Sequence, residues 1–151
     1  MTGDRPQTGP YAVAERISRA ISDHDLDALA DCFTSDYVSE WPVHPARTFT
    51  GPEQVRENWG RMLAAVPDLT TRILGYVVSG GDVWTEWEFA GNRLDGQPHL
   101  MRGIIVLHTE DGRATRSRFF LEPVDTSPDD ATAAVQRLLT EVRASRAGAT
   151  P

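Results

Sequence analysis

Residues able to do chemistry concentrate in one stretch, Trp41-Pro42-Val43-His44-Pro45-Ala46-Arg47-Thr48-Phe49. Prolines stiffen it and aromatic rings flank it. The His44 imidazole can shuttle protons near neutral pH. The Arg47 guanidinium can bind a carboxylate or an enolate oxygen. Together they suit a proton-transfer isomerisation, a cyclisation or a hydration/dehydration, with His44 as acid–base and Arg47 stabilising the negative charge that develops. The plainer alternative for His44 is an exposed or capping loop histidine. His24 and His99 sit in turns and read as inert.

Other chemistries are excluded by composition. All 15 basic side chains are arginine, so neither a Schiff-base lysine nor a phosphate-loop lysine is available. The single cysteine, Cys32, can form no intrachain disulfide. It falls on the buried side of a helix, where a structural thiol is expected. The 4 histidines are scattered without ligand spacing, so no metal site is expected. No glycine-rich loop precedes a helix, and no cofactor is expected.

A length of 151 residues suits one domain with a core large enough to line a pocket. The net charge of -7 argues against nucleic acid or an anionic membrane as partner, because the mean field repels phosphate. No apolar run approaches the ~18 residues of a membrane helix. The polar stretch Met1 to Pro10 carries no visible signal peptide, which predicts a cytoplasmic location.

Residues 1–10 read as a disordered lead-in. Apolar spacing at Val13, Ile17, Ala20 and Ile21 predicts a first helix from Tyr11 to Ile21. A second, short helix follows, with Asp25 as N-cap and Leu26, Leu29, Ala30 and Phe33 on one stripe. Tyr37 to Val43 reads as a short strand. A third helix starts at Gly51-Pro52, where the missing proline N–H costs nothing, and buries Val55, Trp59, Met62, Leu63 and Val66. Strands are then expected at Thr70–Val78, Asp82–Gly91, His99–Thr109 and Arg113–Glu122. Asp95-Gly96 and Asp111-Gly112 turn the last three into an antiparallel meander. Ser127-Pro128-Asp129-Asp130 opens a C-terminal helix with Ser127 as cap. Its stripe of Val135, Leu138, Leu139 and Val142 should dock on the sheet or on a partner chain, and the chain should fray from about Ala147.

Strand alternation separates two faces. One carries Trp84, Glu86, Glu88, Arg102, Arg116, Arg118, Phe120 and Glu122; opposite charges on adjacent strands can pair there. That face reads as a salt-bridge network and a homodimer interface, with Trp84 and Phe120 as anchors. The other face carries Trp87, Phe89, Met101, Ile105, Leu107, Phe119 and Leu121 and should line a pocket. Trp41, Phe49, Trp59, Trp87 and Phe119 would wall it with aromatic rings, although they could instead fill the core. An indole N–H needs a partner, which favours a pocket wall for at least one tryptophan.

The ordered set resembles a known family. It comprises the opening helix, Asp23-His24-Asp25-Leu26-Asp27-Ala28-Leu29, Phe33-Thr34-Ser35-Asp36-Tyr37, Trp41-Pro42, Gly51, Val66-Pro67-Asp68-Leu69 and Asp111-Gly112-Arg113. It is similar to the nuclear transport factor 2-like superfamily, in its SnoaL-like branch, over roughly Tyr11 to Val124. The resemblance implies an α+β fold. A cone-shaped, curved antiparallel sheet would wrap the N-terminal helices around a deep pocket over 11–124; the C-terminal helix and tail, 125–151, are an addition beyond the resemblance. It also implies a common homodimeric state, and functions from ketosteroid isomerase and polyketide cyclase to epoxide hydrolase and non-catalytic binding.

The family's catalytic positions are vacant here. The ketosteroid isomerase base, oxyanion tyrosine and protonated aspartate correspond to Trp41, Ile17 and Ile105. The epoxide hydrolase positions correspond to Trp87, Phe89 and Phe119, and the cyclase acid to Phe119. The resemblance thus makes Ile17 and Ile105 pocket-lining residues. Three readings follow: a cofactor-independent enzyme acting on an apolar cyclic or polyketide-like substrate, a non-catalytic binder of small apolar ligands, and a dimeric interaction module with a filled interior.

Overall fold

The computed structural model describes residues 9–149, so most of the expected lead-in and the last two residues lie outside the described part. Helix α1 (Pro10–Ser22) opens with proline at its first turn and buries Val13, Ala14, Ile17, Ala20 and Ile21. The short helix α2 (Leu26–Ala30) is capped by Asp25, whose carboxylate accepts from the Ala28 N–H. Strand β1 (Phe33–Glu40) begins earlier than the sequence suggests, and Phe33 belongs to it rather than to a helix. The loop 41–48 contains a single 3-10 turn, Pro45–Arg47, and leads into the two-residue strand β2 (Phe49–Thr50). Gly51, at φ 87°, lets the chain turn directly into α3 (Pro52–Ala65).

The meander follows as expected: β3 (Thr70–Ser79), β4 (Asp82–Asn92), β5 (Pro98–Glu110) and β6 (Arg113–Pro123). At the last hairpin both Asp111 (φ 49°) and Gly112 (φ 77°) take the left-handed backbone that a tight two-residue turn requires. The strands order as β2-β1-β6-β5-β4-β3. One pairing departs from the antiparallel expectation. Strand β1 runs parallel to β6, with Val38 opposite Arg116 and Ser39 opposite Ser117, so the curved sheet is mixed. A parallel pair needs a long crossover, and α3 with the four intervening strands supplies it.

Helix α1 lies on β3 through stacked Tyr11 and Tyr76 rings, 3.6 Å between centroids, and a 2.7 Å bond between the Ser18 and Thr71 hydroxyls. Its inward side meets Trp87, Phe89, Ile105 and Leu107 in the core. Helix α4 (Ala131–Ala147) forms, but its cap is Asp130, which accepts from the Ala133 N–H, and not Ser127. The Ser127 N–H is instead taken by Asp125, and α4 starts where the alanine-rich run starts. The expected docking on the sheet does not occur: every α4 residue is exposed, Val135, Leu138, Leu139 and Val142 included.

On the outer sheet face the register aligns charges of alternating sign. Arg72 stands opposite Glu88, Glu88 opposite Arg102, and Arg102 opposite Glu122. Glu88 is buried between two guanidiniums, taking Arg72 at 2.8 Å and Arg102 at 2.7 Å on its two oxygens. Arg116 pairs with Glu40 at 3.0 Å, and Arg118 lies 5.5 Å from the Trp84 ring. Arg102 first, then Arg72, holds the Glu88 carboxyl below its ordinary range. A lowered pKa contributes stability that is present above the unfolded value and lost as the pH falls through the folded one. Glu88→Gln should therefore flatten the acid side of the stability profile below about pH 4. Urea midpoints measured from pH 6 to pH 3 check this; identical slopes for the variant and the parent would contradict it.

Candidate functional site

Between the inner sheet face, α1 and α3 lies a cavity of about 170 Å³. Alternation places its walls. On β4, Trp87 and Phe89 face it; on β5, Met101, Ile105 and Leu107; on β6, Phe119 and Leu121. Ile17 and Ile21 enter from α1, and Val55, Trp59 and Met62 from α3. The deep lining is buried, whereas exposed Asn58 and half-buried Trp41, Phe49 and His99 mark the open end.

The aromatic walls are ordered in two groups. Trp41 stacks on Phe119 at 4.8 Å and 10°. Trp59, Phe89 and Trp87 form a second series, at 5.7 Å and 5.5 Å between neighbours. The Trp87 indole N–H donates to the Thr85 hydroxyl at 2.6 Å, and that hydroxyl donates to the Ile105 carbonyl at 2.6 Å.

All the residues expected to bind a ligand (Ile17, Trp41, Phe49, Trp59, Trp87, Ile105 and Phe119) line this cavity. His44 and Arg47 are not among its lining residues. The His44 Nε2 lies 2.6 Å from Glu122 Oε1, and Glu122 belongs to the outward set of β6. The imidazole is thus turned toward the outer face. Arg47 lies 5.5 Å from the Trp41 ring. His24 holds the Leu69 carbonyl at 3.0 Å, a structural role. Cys32 is buried, donates to the Ala28 carbonyl at 3.3 Å, and burial pushes its thiol pKa up, as for an inert thiol.

Polar lining residues went unnoticed in the sequence. His99, read there as an inert turn residue, starts β5 on the same side as Met101, Ile105 and Leu107; extending the alternation by one step would have found it. Burial, and then the Arg93 charge, hold its pKa below the usual histidine value, so it is neutral at neutral pH. Tyr37 and Ser39 precede Trp41 at two-residue spacing on the same side of β1. The Tyr37 hydroxyl bonds to the Ser117 hydroxyl, and burial pushes its pKa up to about 12, so it stays protonated. Among the described residues, no group of histidine, cysteine and acidic side chains could hold a metal ion.

The sequence profile of the SnoaL-like domain matches residues 14–117. The chain belongs to the SnoaL-like domain family. No curated protein sequence matches it. Solved structures do match this SnoaL-like chain. IdmH of Streptomyces antibioticus, provisionally assigned as a polyketide cyclase, is 20% identical with a TM-score of 0.66, over 75% of this chain and 91% of that one. A Catenulispora acidiphila protein with a ketosteroid isomerase-like fold, crystallised with trimethylamine, is 20% identical with a TM-score of 0.63, over 70% and 82%. An NTF2-like protein from Exiguobacterium is 19% identical with a TM-score of 0.62, over 76% and 99%. At such identities they establish the nuclear transport factor 2-like fold of this SnoaL-like chain and nothing finer.

Proposed function

We propose that this SnoaL-like protein takes one small, mostly apolar, ring-bearing molecule into the cavity and converts it without a cofactor, by isomerisation, cyclisation or hydration/dehydration. The observation that carries the proposal is the aromatic-walled cavity itself. Cavities of about 150 Å³ lined by apolar groups accept a benzene-sized guest, so this one suits a single ring or two fused rings. Holding the substrate in a reactive shape adds to the acceleration. For His44 to trade a proton with the ligand, its imidazole must leave Glu122 and turn from the outer face to the rim, where Arg47 already lies beside Trp41 to steady negative charge. Support for the fold-level class comes from the provisional cyclase among the matching structures. The cavity argues against the interaction module, which requires a filled interior.

A second reading has its own support. Trp41, Ile105 and Phe119 stand where related enzymes place acids, and a binding protein needs none. One experiment separates the two. Mono- and bicyclic ketones and enones are titrated against tryptophan fluorescence, and the recovered ligand is then analysed. A catalyst returns altered ligand, and His44→Ala and Arg47→Ala abolish that change while saturable quenching persists. Unaltered ligand selects the binding reading, and the absence of saturable quenching removes both.

The homodimer through the outer sheet face remains part of this proposal, supported by Trp84 and Val77, which are 47% and 66% exposed on the sheet. A mass of twice the chain by light scattering, reduced by Trp84→Glu, is expected; a monomer at all concentrations contradicts it. The cytoplasmic location is likewise proposed. Among the described residues no helix is long and apolar enough to cross a membrane, and cell fractionation tests the assignment.

A further inference from the structure

Three hydroxyls meet at the inner end of the cavity, from Tyr37, Ser39 and Ser117, each 1% exposed or less. Tyr37 and Ser39 line the cavity, and Ser39 stands opposite Ser117 across the parallel β1–β6 pair. The hydroxyl–hydroxyl bond between Tyr37 and Ser117 commits one proton. The Ser39 Oγ has no hydrogen-bond partner among the described residues. The Ser39 proton is therefore left without an acceptor at hydrogen-bond distance in an otherwise apolar wall, although Ser39 lies near enough to act on the Tyr37 hydroxyl. An uncommitted buried donor is costly, and a partner that satisfies it is recovered as affinity.

Two residues further along each strand come Trp41 and Phe119, stacked on each other. A planar ring lying against that stack would carry its leading edge to the hydroxyls. The charged side chains paired on this sheet, Arg72, Glu88, Arg102, Arg116 and Glu40, all belong to the outer face. A ligand carboxylate would be buried there without a counter-charge, at prohibitive desolvation cost.

We infer that the Ser39–Tyr37–Ser117 hydroxyl cluster is a recognition site for a neutral acceptor oxygen, so that the ligand class is a mono- or bicyclic carbonyl compound entering carbonyl first. The inference rests on the cavity being a ligand site, as proposed above. Ser39 and Tyr37 act here as specificity-determining residues, by donating to that oxygen.

The test compares 1-indanone with indane, which have similar shapes and differ by the carbonyl. Both are titrated by calorimetry into the wild type, Ser39→Ala and Tyr37→Phe. Ser39→Ala removes an orphaned hydroxyl, so its Tm should stay at or above that of the parent. The wild type should prefer the ketone by about five- to tenfold, the usual net worth of one neutral hydrogen bond. In Ser39→Ala the preference should fall below about twofold while indane binds at least as well as before, and Tyr37→Phe should also reduce the preference. Because the readout is a ratio within each variant, a loss of folded protein does not imitate the effect. Equal affinities in the wild type, or an undiminished preference in Ser39→Ala, overturn the inference and leave the cavity reading standing. Failure of both probes to bind the wild type overturns the cavity reading, and this inference with it.

Discussion

Gly103→Ala should destabilise the protein by about 3 kcal/mol or more, at the upper end of what overpacking costs. A Cβ at this position would sit 2.0 Å from the Phe120 carbonyl oxygen and 2.8 Å from the Leu121 Cα. Both are backbone atoms of the neighbouring strand, so no rotamer change relieves the clash. Strands β5 and β6 would have to part where Gly103 stands between Trp87 and Leu121 in the register. The same substitution at Gly60, inside α3, meets only Leu26 Cδ1 at 3.5 Å. There it should stabilise by about 0.5–1 kcal/mol, because alanine loses less backbone freedom on folding. Urea unfolding of the pair gives opposite signs if the strand contact is the cause. A Gly103→Ala midpoint equal to the wild type would refute it.

Trp87→Ala should cost about 3–5 kcal/mol, the usual range for truncating a large buried aromatic. Trp87 is 1% exposed and stacks on Phe89, and its indole N–H is satisfied by Thr85. The Thr85 hydroxyl keeps its bond to Ile105, so the loss is one of packing rather than of an orphaned polar group. The variant should also enlarge the cavity, because Trp87 is part of its wall. Bulkier ring compounds, such as naphthyl ketones, should therefore gain affinity over 1-indanone. Calorimetric unfolding measures the first effect and competition titration the second. A Tm unchanged from the parent would show that the ring carries no packing load.

The sheet and its two faces were legible because alternation is local. Glu88 and Arg102 could be assigned to one face, and Trp87, Ile105 and Phe119 to the other, from period two alone. The Asp111-Gly112 turn then fixed which strands were neighbours. The parallel β1–β6 pairing was not legible. Nothing in Phe33–Glu40 announces a partner about 80 residues away, and the strand's start was masked by an apolar spacing that also fits a helix turn. For the same reason Ser39 drew no notice. A serine between a tyrosine and a tryptophan becomes conspicuous only when its cross-strand neighbour is known.

His44 shows the limit from the other side. Its loop and chemistry were visible, but its direction is set by Glu122, 78 positions later, through a contact that no local pattern encodes. Arg72, the second cation on Glu88, was likewise hidden until the register of β3 placed it opposite that carboxylate.

The parallel pairing also bears on how the molecule assembles. Its contacts join the first third of the chain to the end of the meander, as between Tyr37 and Ser117. Closing so long a loop is entropically expensive and slow compared with zipping the β4–β5 and β5–β6 hairpins. A ribosome-bound chain halted before β6 has emerged can hold the β4–β5 hairpin, but it cannot have the inner end of the cavity. The ability to capture a ligand should therefore be the last property the newborn protein acquires, after its hairpins are already in place.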